Sequence, residues 1–219
     1  IDWNVTARLQ TPHVREFQED REVAAWFILD LSGSVDFGSH TVRKRALSAE
    51  FVTVLARLLT RYGNRVGAIL QGDGTYEMVP ARAGRRHVLY LLDRVQQFGR
   101  RDPAQGTAGV KSKQKPAVQE TDLAAMLQKV QPVIRRRSVV FLVSDFISST
   151  DWSRALTLLA RRHEVVAVRL YDPLEVNLPD LGLIVLQDAE TGEQMFVDTN
   201  DRGFRMRFAA AAGTREAAL

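Results

Sequence analysis

The chain has no cysteine in 219 residues. That excludes a disulfide framework and any thiolate-bound metal, and it fits a reducing, cytoplasmic compartment. It lacks an apolar run of the roughly 18 residues that a membrane helix requires. The apolar stretch Val139–Val143 is far too short. The opening residues carry no apolar signal-peptide core. No Gly-x-x-x-x-Gly-Lys-Ser/Thr loop is present, nor a Gly-x-Gly-x-x-Gly after a strand, so nothing here cradles a nucleotide. Neither sign of charge dominates: 30 Lys and Arg face 26 Asp and Glu, for a formal net charge of +4. Such a balance permits weak attraction to an acidic partner or to phosphate backbones and specifies neither.

What is present is ordinary for a globular domain, with 45% hydrophobic and 26% charged residues. The length suits one sizeable core, so residues 1–219 read as a single domain. The chain opens on Ile1 and ends in an uncapped helical stretch, so it reads as a piece of a longer protein, with a membrane anchor elsewhere left open.

Residues 1–22 read as a polar, irregular arm broken at Pro12. Val23–Leu29 is a continuous apolar run ending at Asp30, the pattern of a buried parallel strand. Thr41–Tyr62 reads as a helix with Val42, Ala46, Ala49, Val52, Ala56 and Leu59 on its inner face. Val66–Leu70 predicts a second strand, with Thr75–Val79 folded back on it as an edge. Pro80 to Gly84 leads into a helix over 85–98, lined by Val88, Leu91, Leu92, Val95 and Phe98. Residues 99–120 have no apolar period and read as a long loop. Helices at 121–134 and 151–161 alternate with strands at 138–143 and 165–170. Leu183–Gln187 and Gln194–Val197 form a hairpin, and the end turns helical from Asp201. Strands alternating with helices predict an α/β fold: a doubly wound, mostly parallel sheet with helices on both faces. No heptad and no exposed apolar stripe stands out, so a monomer is expected.

Such sheets bind ligands at the carboxyl ends of their strands. Three polar groups fall there: Asp30-Leu31-Ser32-Gly33-Ser34, Thr121 at a helix start, and Asp145. Together they offer two carboxylates and three hydroxyls, with no histidine or cysteine. That hard oxygen set suits Mg²⁺, Mn²⁺ or Ca²⁺ rather than Zn²⁺. Ser32 and Ser34 can point the same way, with Gly33 letting the backbone turn tightly between them. Two carboxylates and neutral hydroxyls would leave the cation electrophilic, open to a partner's Glu or Asp. Each element also has a plain reading. Asp, Ser and Gly are common turn residues, Thr121 followed by Asp122 suits a helix N-cap, and Asp145 can cap the next turn.

The pattern Asp30-x-Ser32-x-Ser34, Thr121, Asp145 resembles the metal-ion-dependent adhesion site of von Willebrand factor A domains. More narrowly, the chain resembles the bacterial von Willebrand A-like family known as domain of unknown function fifty-eight. The likeness runs nearly end to end: the Asp2-Trp3-Asn4 start, FILDLSGSVDFGS at 27–39, Lys44, Thr121-Asp122-Leu123, VSDF at 143–146, YDPLEVNLPDLG at 171–182 and QDAETG at 187–192. The resemblance implies that Ser32, Ser34 and Thr121 ligate through hydroxyls, and that Asp30 and Asp145 act directly or through water. It further implies a non-enzymatic interaction module, its cation taking an acidic group from a protein partner. The partner that the resemblance implies is a MoxR-type AAA+ ATPase or its client, in chaperone-like maturation. Gln119-Glu120 departs from the small pair that often precedes the threonine in that family.

Two other classes are open. A metal-dependent, phosphatase-like hydrolase would use Asp30 as nucleophile, but Ser32 stands where a second acid is usual and no general base is evident. Of His13, His40, His87 and His163, only His40 falls near a strand end. Nucleic-acid binding would use Lys111, Lys113 and Lys115 with Arg135–Arg137, yet no aromatic residues interleave them, and a solvated face explains them as well. Trp26 belongs to the core, Trp152 to a packing anchor, and Trp3 pins the arm.

Overall fold

The computed structural model describes residues 3–12, 23–36, 42–72, 75–98, 122–148, 150–187 and 193–217, with the side chains of 3–5 set aside. Its elements are α1 (Trp3–Leu9), β1 (Ala24–Asp30), α2 (Lys44–Arg61), β2 (Arg65–Gly72), β3 (Thr75–Arg82), α3 (Arg85–Gln97) and α4 (Leu123–Val130). There follow β4 (Val139–Ser144), α5 (Ser153–Ala160), β5 (Glu164–Arg169), β6 (Leu183–Gln187), β7 (Gln194–Asp198) and α6 (Arg202–Ala217).

The central sheet has five strands in the order β3-β2-β1-β4-β5. β1 runs parallel to β2 and β4, and β4 parallel to β5; only β3 is antiparallel. The fold is therefore α/β with a mixed, largely parallel sheet and a helix layer on each face, a Rossmann- or von Willebrand A-like architecture. The chain leaves β1 toward β2 and later returns to the other side of β1 as β4. That reversal makes the β1–β4 junction the switch point, where the carboxyl ends open a crevice.

Residues alternate across a strand, so β1 feeds two cores. Ala25, Phe27 and Leu29 pack with Val52, Ala56, Val88, Leu91 and Val95 beneath α2 and α3. Trp26 and Ile28 pack with Leu123, Met126, Leu127 and Leu159 beneath α4 and α5. Phe27 stacks on Phe141 at 5.3 Å between ring centroids. Burial on both faces is why the strand reads as a continuous apolar run.

Four expectations shift. The arm is not wholly irregular: Trp3–Leu9 is helical, ended by Gln10 at φ 55°, with Pro12 beyond. β3 runs through Pro80 to Arg82 instead of stopping at Val79. An edge strand tolerates the missing amide, and the β2–β3 register shifts between Val66 and Ala68. Helix α2 begins at Lys44, leaving Val42 and Ala46 exposed; its buried face starts with Lys44 and Ser48, polar residues that an apolar pattern passes over. That helix also turns Leu47, Val54 and Leu58 outward, an exposed apolar stripe where none was expected. The loop at 99–120 and the hairpin turn at 188–192 lie outside the described residues.

Candidate functional site at the switch point

Strand register decides which polar groups meet. Ile28 pairs with Leu142 and Leu29 with Val143, so Asp30 falls level with Ser144. On the other side Asp30 pairs with Gln71. Gln71, Asp30 and Ser144 thus form a polar row across three strands, on the face toward α4. The Ser144 hydroxyl donates to Asp30 Oδ2 at 2.8 Å, and the Ser32 amide donates to Asp30 Oδ1 at 3.1 Å. Asp30 is 2% exposed. Burial pushes its carboxyl above the usual range and the neighbouring Asp145 adds to this, while the Ser32 and Ser144 hydrogen bonds pull it back.

The loop after β1 is shaped by its apolar members. Leu31 and Val35 are buried in the α2–α3 core. The Leu31 amide continues the ladder to the Gln71 carbonyl at 2.7 Å, and the Val35 amide closes a turn onto the Ser32 carbonyl at 3.1 Å. With those two residues drawn inward, the hydroxyls of Ser32 and Ser34 face each other at 3.1 Å. The fit with β2 is tight: a Cβ on Gly72 would lie 2.3 Å from the Leu31 carbonyl oxygen.

Asp145, one residue past β4, points to the opposite face from Ser144 and so toward α2. Its Oδ1 accepts the Ile147 amide at 3.0 Å, as a cap of the next turn. Its Oδ2 is buried and accepts no hydrogen bond. Lys44 Nζ lies 3.7 Å from that oxygen and is itself only 4% exposed. The ammonium donates to Glu175, whose other oxygen accepts the Asp172 amide at 3.1 Å in a capping box over the turn Pro173–Glu175. Between Ser144 and Ile147, Phe146 holds φ 61°, rare for a bulky side chain. Its amide is fixed by Ser144 Oγ at 3.0 Å and its ring packs on Trp152 at 5.2 Å.

The structure therefore brings Asp30, Ser32, Ser34 and Asp145 to one end of the sheet. Thr121 lies outside the described residues. Its neighbour Asp122 caps α4: Asp122 Oδ1 accepts the Ala125 amide at 2.8 Å and the Thr150 hydroxyl at 2.7 Å. These bonds, with Leu123 N donating to Ser148 Oγ at 3.3 Å, tie the start of α4 to the loop after β4. Ser144, Gln71, Lys44 and Glu175 were not among the expected site residues. The strand alternation and register signal the first two; the other two sit in the stretches that carry the family resemblance, without a local pattern of their own.

The donor set is of the hard-oxygen kind. A buried carboxylate oxygen without a hydrogen bond and two convergent hydroxyls supply oxygen and nothing softer. Among the described residues no three His, Asp or Glu side chains converge, so any cation at this place would need hydroxyl ligands as well. His87 Nε2 bonds the Val66 carbonyl at 2.9 Å, near the amino end of β2, and His163 precedes β5, so both lie at the opposite end of the strands. His13 and His40 lie outside the described residues.

A family model described as protein of unknown function DUF58 matches residues 1–218. Uncharacterized proteins of Mycobacterium tuberculosis and Mycobacterium bovis are 37% identical over 217 residues, covering 99% of this chain and 64% of their own length. An aerotolerance-related membrane protein from Bacteroides fragilis superposes with a TM-score of 0.51 at 12% identity, covering 87% of this chain and 88% of its own. BatB from Bacteroides thetaiotaomicron gives 0.50 at 15% identity, covering 88% and 87%. At such identities the likeness is one of fold.

Proposed function

This chain belongs to DUF58, a family of proteins of unknown function, and we propose that it is a non-enzymatic protein-interaction module gripping its partner through a divalent cation. Asp30, Ser32, Ser34, Thr121 and Asp145 would hold the ion, Mg²⁺ in the first instance, with Mn²⁺ and Ca²⁺ accepting the same ligands. One observation carries the reading: Asp30 and Asp145 are buried together at the switch point, one Asp145 oxygen has no hydrogen bond, and two serine hydroxyls converge beside them. Two desolvated carboxylates close enough to feel each other's charge are costly without positive charge. Lys44 compensates Asp145 from the α2 side, and a cation would compensate Asp30.

When bound, the ion supplies an electrophilic seat for a carboxylate. The protein's own residues do the rest. Ser144 and the Ser32 amide fix the Asp30 carboxylate, the 31–35 turn presents the hydroxyls, and Lys44 with Glu175 holds the next turn in place. The partner is a protein presenting Asp or Glu. Family resemblance suggests an AAA+ ATPase or its client, in chaperone-like maturation.

Calorimetric titration of metal-free protein with Mg²⁺, Mn²⁺ and Ca²⁺, beside Asp30→Ala, tests this. Saturable uptake by the intact chain, lost in the variant, is expected. Equal heats from both proteins would defeat the reading.

A further inference from the structure

The carboxyl ends of the strands carry the candidate site; their amino ends carry a different charge. Register brings the turns at that end level with one another. Ala24 pairs with Arg65, Val66 with Arg82, Ala25 with Val139, and Val139 with Glu164. Exposed arginines gather there from segments far apart in the chain. Arg61 and Arg65 flank the turn from α2 to β2, and Arg82, Arg85 and Arg86 flank the turn from β3 to α3. Arg135–Arg137 precede β4, and Arg161 and Arg162 precede β5. The segments 61–65, 82–86, 135–138 and 161–164 contain a single carboxylate, Glu164. Arg65 is engaged, but the other arginines make no ion pair among the described residues. Burial, and then the charge of Arg162, hold the His163 imidazole below its ordinary range.

Fold stability does not account for this charge. Arg61 and Arg161, at the ends of α2 and α5, do complement helix carboxyl termini. Arg85 and Arg86 do the reverse. They open α3, whose first turn holds no acid and whose N-cap Gly84 offers no side-chain bond, so two cations stand at the positive end of the helix dipole. Arg135–Arg137 lie beyond α4 and set three like charges in a row. Charge placed against local stability points to a partner outside the chain.

Chemistry and shape narrow that partner. Guanidinium forks match the oxygens of phosphate and carboxylate. The arginines spread in two dimensions: about 19 Å from β3 to β5 at about 4.8 Å per strand, and from the α2–α3 layer across the sheet to the α4–α5 layer. The turns are short, so no helix or ribbon projects from them to enter a groove. Tyr62, 74% exposed beside Arg61, is the one exposed aromatic of these segments, too few to stack successive bases. A protein interface centres on an apolar patch, and these segments offer none beyond Tyr62. A duplex is a cylinder and meets such a face along one line, whereas a planar layer of phosphates meets all of it. We infer that the amino end of the sheet is a docking face for an anionic lipid surface, held by headgroup phosphates. Docked so, the chain turns its switch-point end away from the lipid. The inference stands apart from the cation reading and survives its failure.

Vesicle flotation tests it, with vesicles of phosphatidylcholine alone and with about a third phosphatidylglycerol, at about 0.1 M and about 0.5 M salt. The acids at 16–22 fall outside the described residues, so the intact chain is the object tested. The chain is expected to bind the anionic vesicles and not the neutral ones, and the higher salt should release it. Arg86→Gln and Arg136→Gln, from opposite helix layers, should each weaken binding about fivefold. Arg154→Gln makes the same change in the first turn of α5, at the other end of the sheet, and should leave binding within about twofold. Because Arg86 opposes the α3 dipole, Arg86→Gln should leave the melting temperature unchanged or raised, which separates lost binding from a folding defect. Equal binding to neutral and anionic vesicles, binding to neither, or the same loss from Arg154→Gln as from Arg86→Gln overturns the inference. So does a short labelled DNA duplex that binds more tightly than the anionic vesicles at equal phosphate and loses that binding in the same two variants, since the face would then serve nucleic acid.

Discussion

From Ala25 to Asp30 every residue of β1 is buried, whereas along β6 and β7 only Val197 is. Both regions are rich in the same β-branched, aliphatic and aromatic residues, so composition does not separate them. Neighbours do. β1 has a strand on each edge and helices over each face; each hairpin strand has one partner, and one face of the pair looks outward with Leu183, Val185 and Phe196 exposed. Enclosure gives β1 the rigidity and low dielectric that hold Asp30 desolvated at its end. The site end and the hairpin are thus built on opposite principles.

The sharpest test of that contrast is Phe27→Ala, which removes a fully buried ring stacked on Phe141. It should lower unfolding free energy in urea by about 3–5 kcal/mol. Gly72→Ala should follow at about 1–3 kcal/mol, since its Cβ meets backbone that cannot swing aside, and calorimetry should show weakened cation uptake as the Leu31–Ser34 loop shifts.

Titration adds a difference of sign. Burial raises the Asp30 carboxyl above its ordinary 3.8. Its contribution to metal-free stability is therefore full below that value and is lost as pH rises through the raised one. Melting curves in EDTA should show this decline, and Asp30→Asn should remove it. Asp122 behaves oppositely. The Ala125 amide and Thr150 hydroxyl hold it below 3.8, so its stabilisation is present above that pH and is lost as pH falls through the lowered value. Asp122→Ala should cost about 1 kcal/mol as a lost N-cap and flatten the acid limb of the same curves. At the small end, Phe196→Ala on the open hairpin face, 75% exposed, should change stability by under about 0.5 kcal/mol.

The same contrast explains what was legible beforehand. The runs ending at Asp30 and Ser144 are unmistakable because parallel strands buried on both faces leave no polar interruption. The placement of Asp30, Ser32, Ser34 and Asp145 at carboxyl strand ends could be read because an apolar run ending in an acid is local in sequence. Lys44 and Ser48 could not, since a buried polar position on a helix looks like a solvent-facing one until its partner is placed. Glu175 was hidden for the same reason: its role depends on a lysine far away in the chain. The arginine face is hidden too: Arg135–Arg137 are a visible run, but the other turns join it only through strand register.

That distance has a consequence in time. Glu175 reaches Lys44 across 131 residues, and Ser144 reaches Asp30 across 114. Closing long loops costs entropy that grows with length, so such links form after the local ones. Synthesis delivers Asp30, Ser32 and Ser34 well before Asp145 and Glu175. A nascent or half-folded copy therefore carries the serine turn without its opposing wall, and any partner that reads this surface reads completion as well as identity.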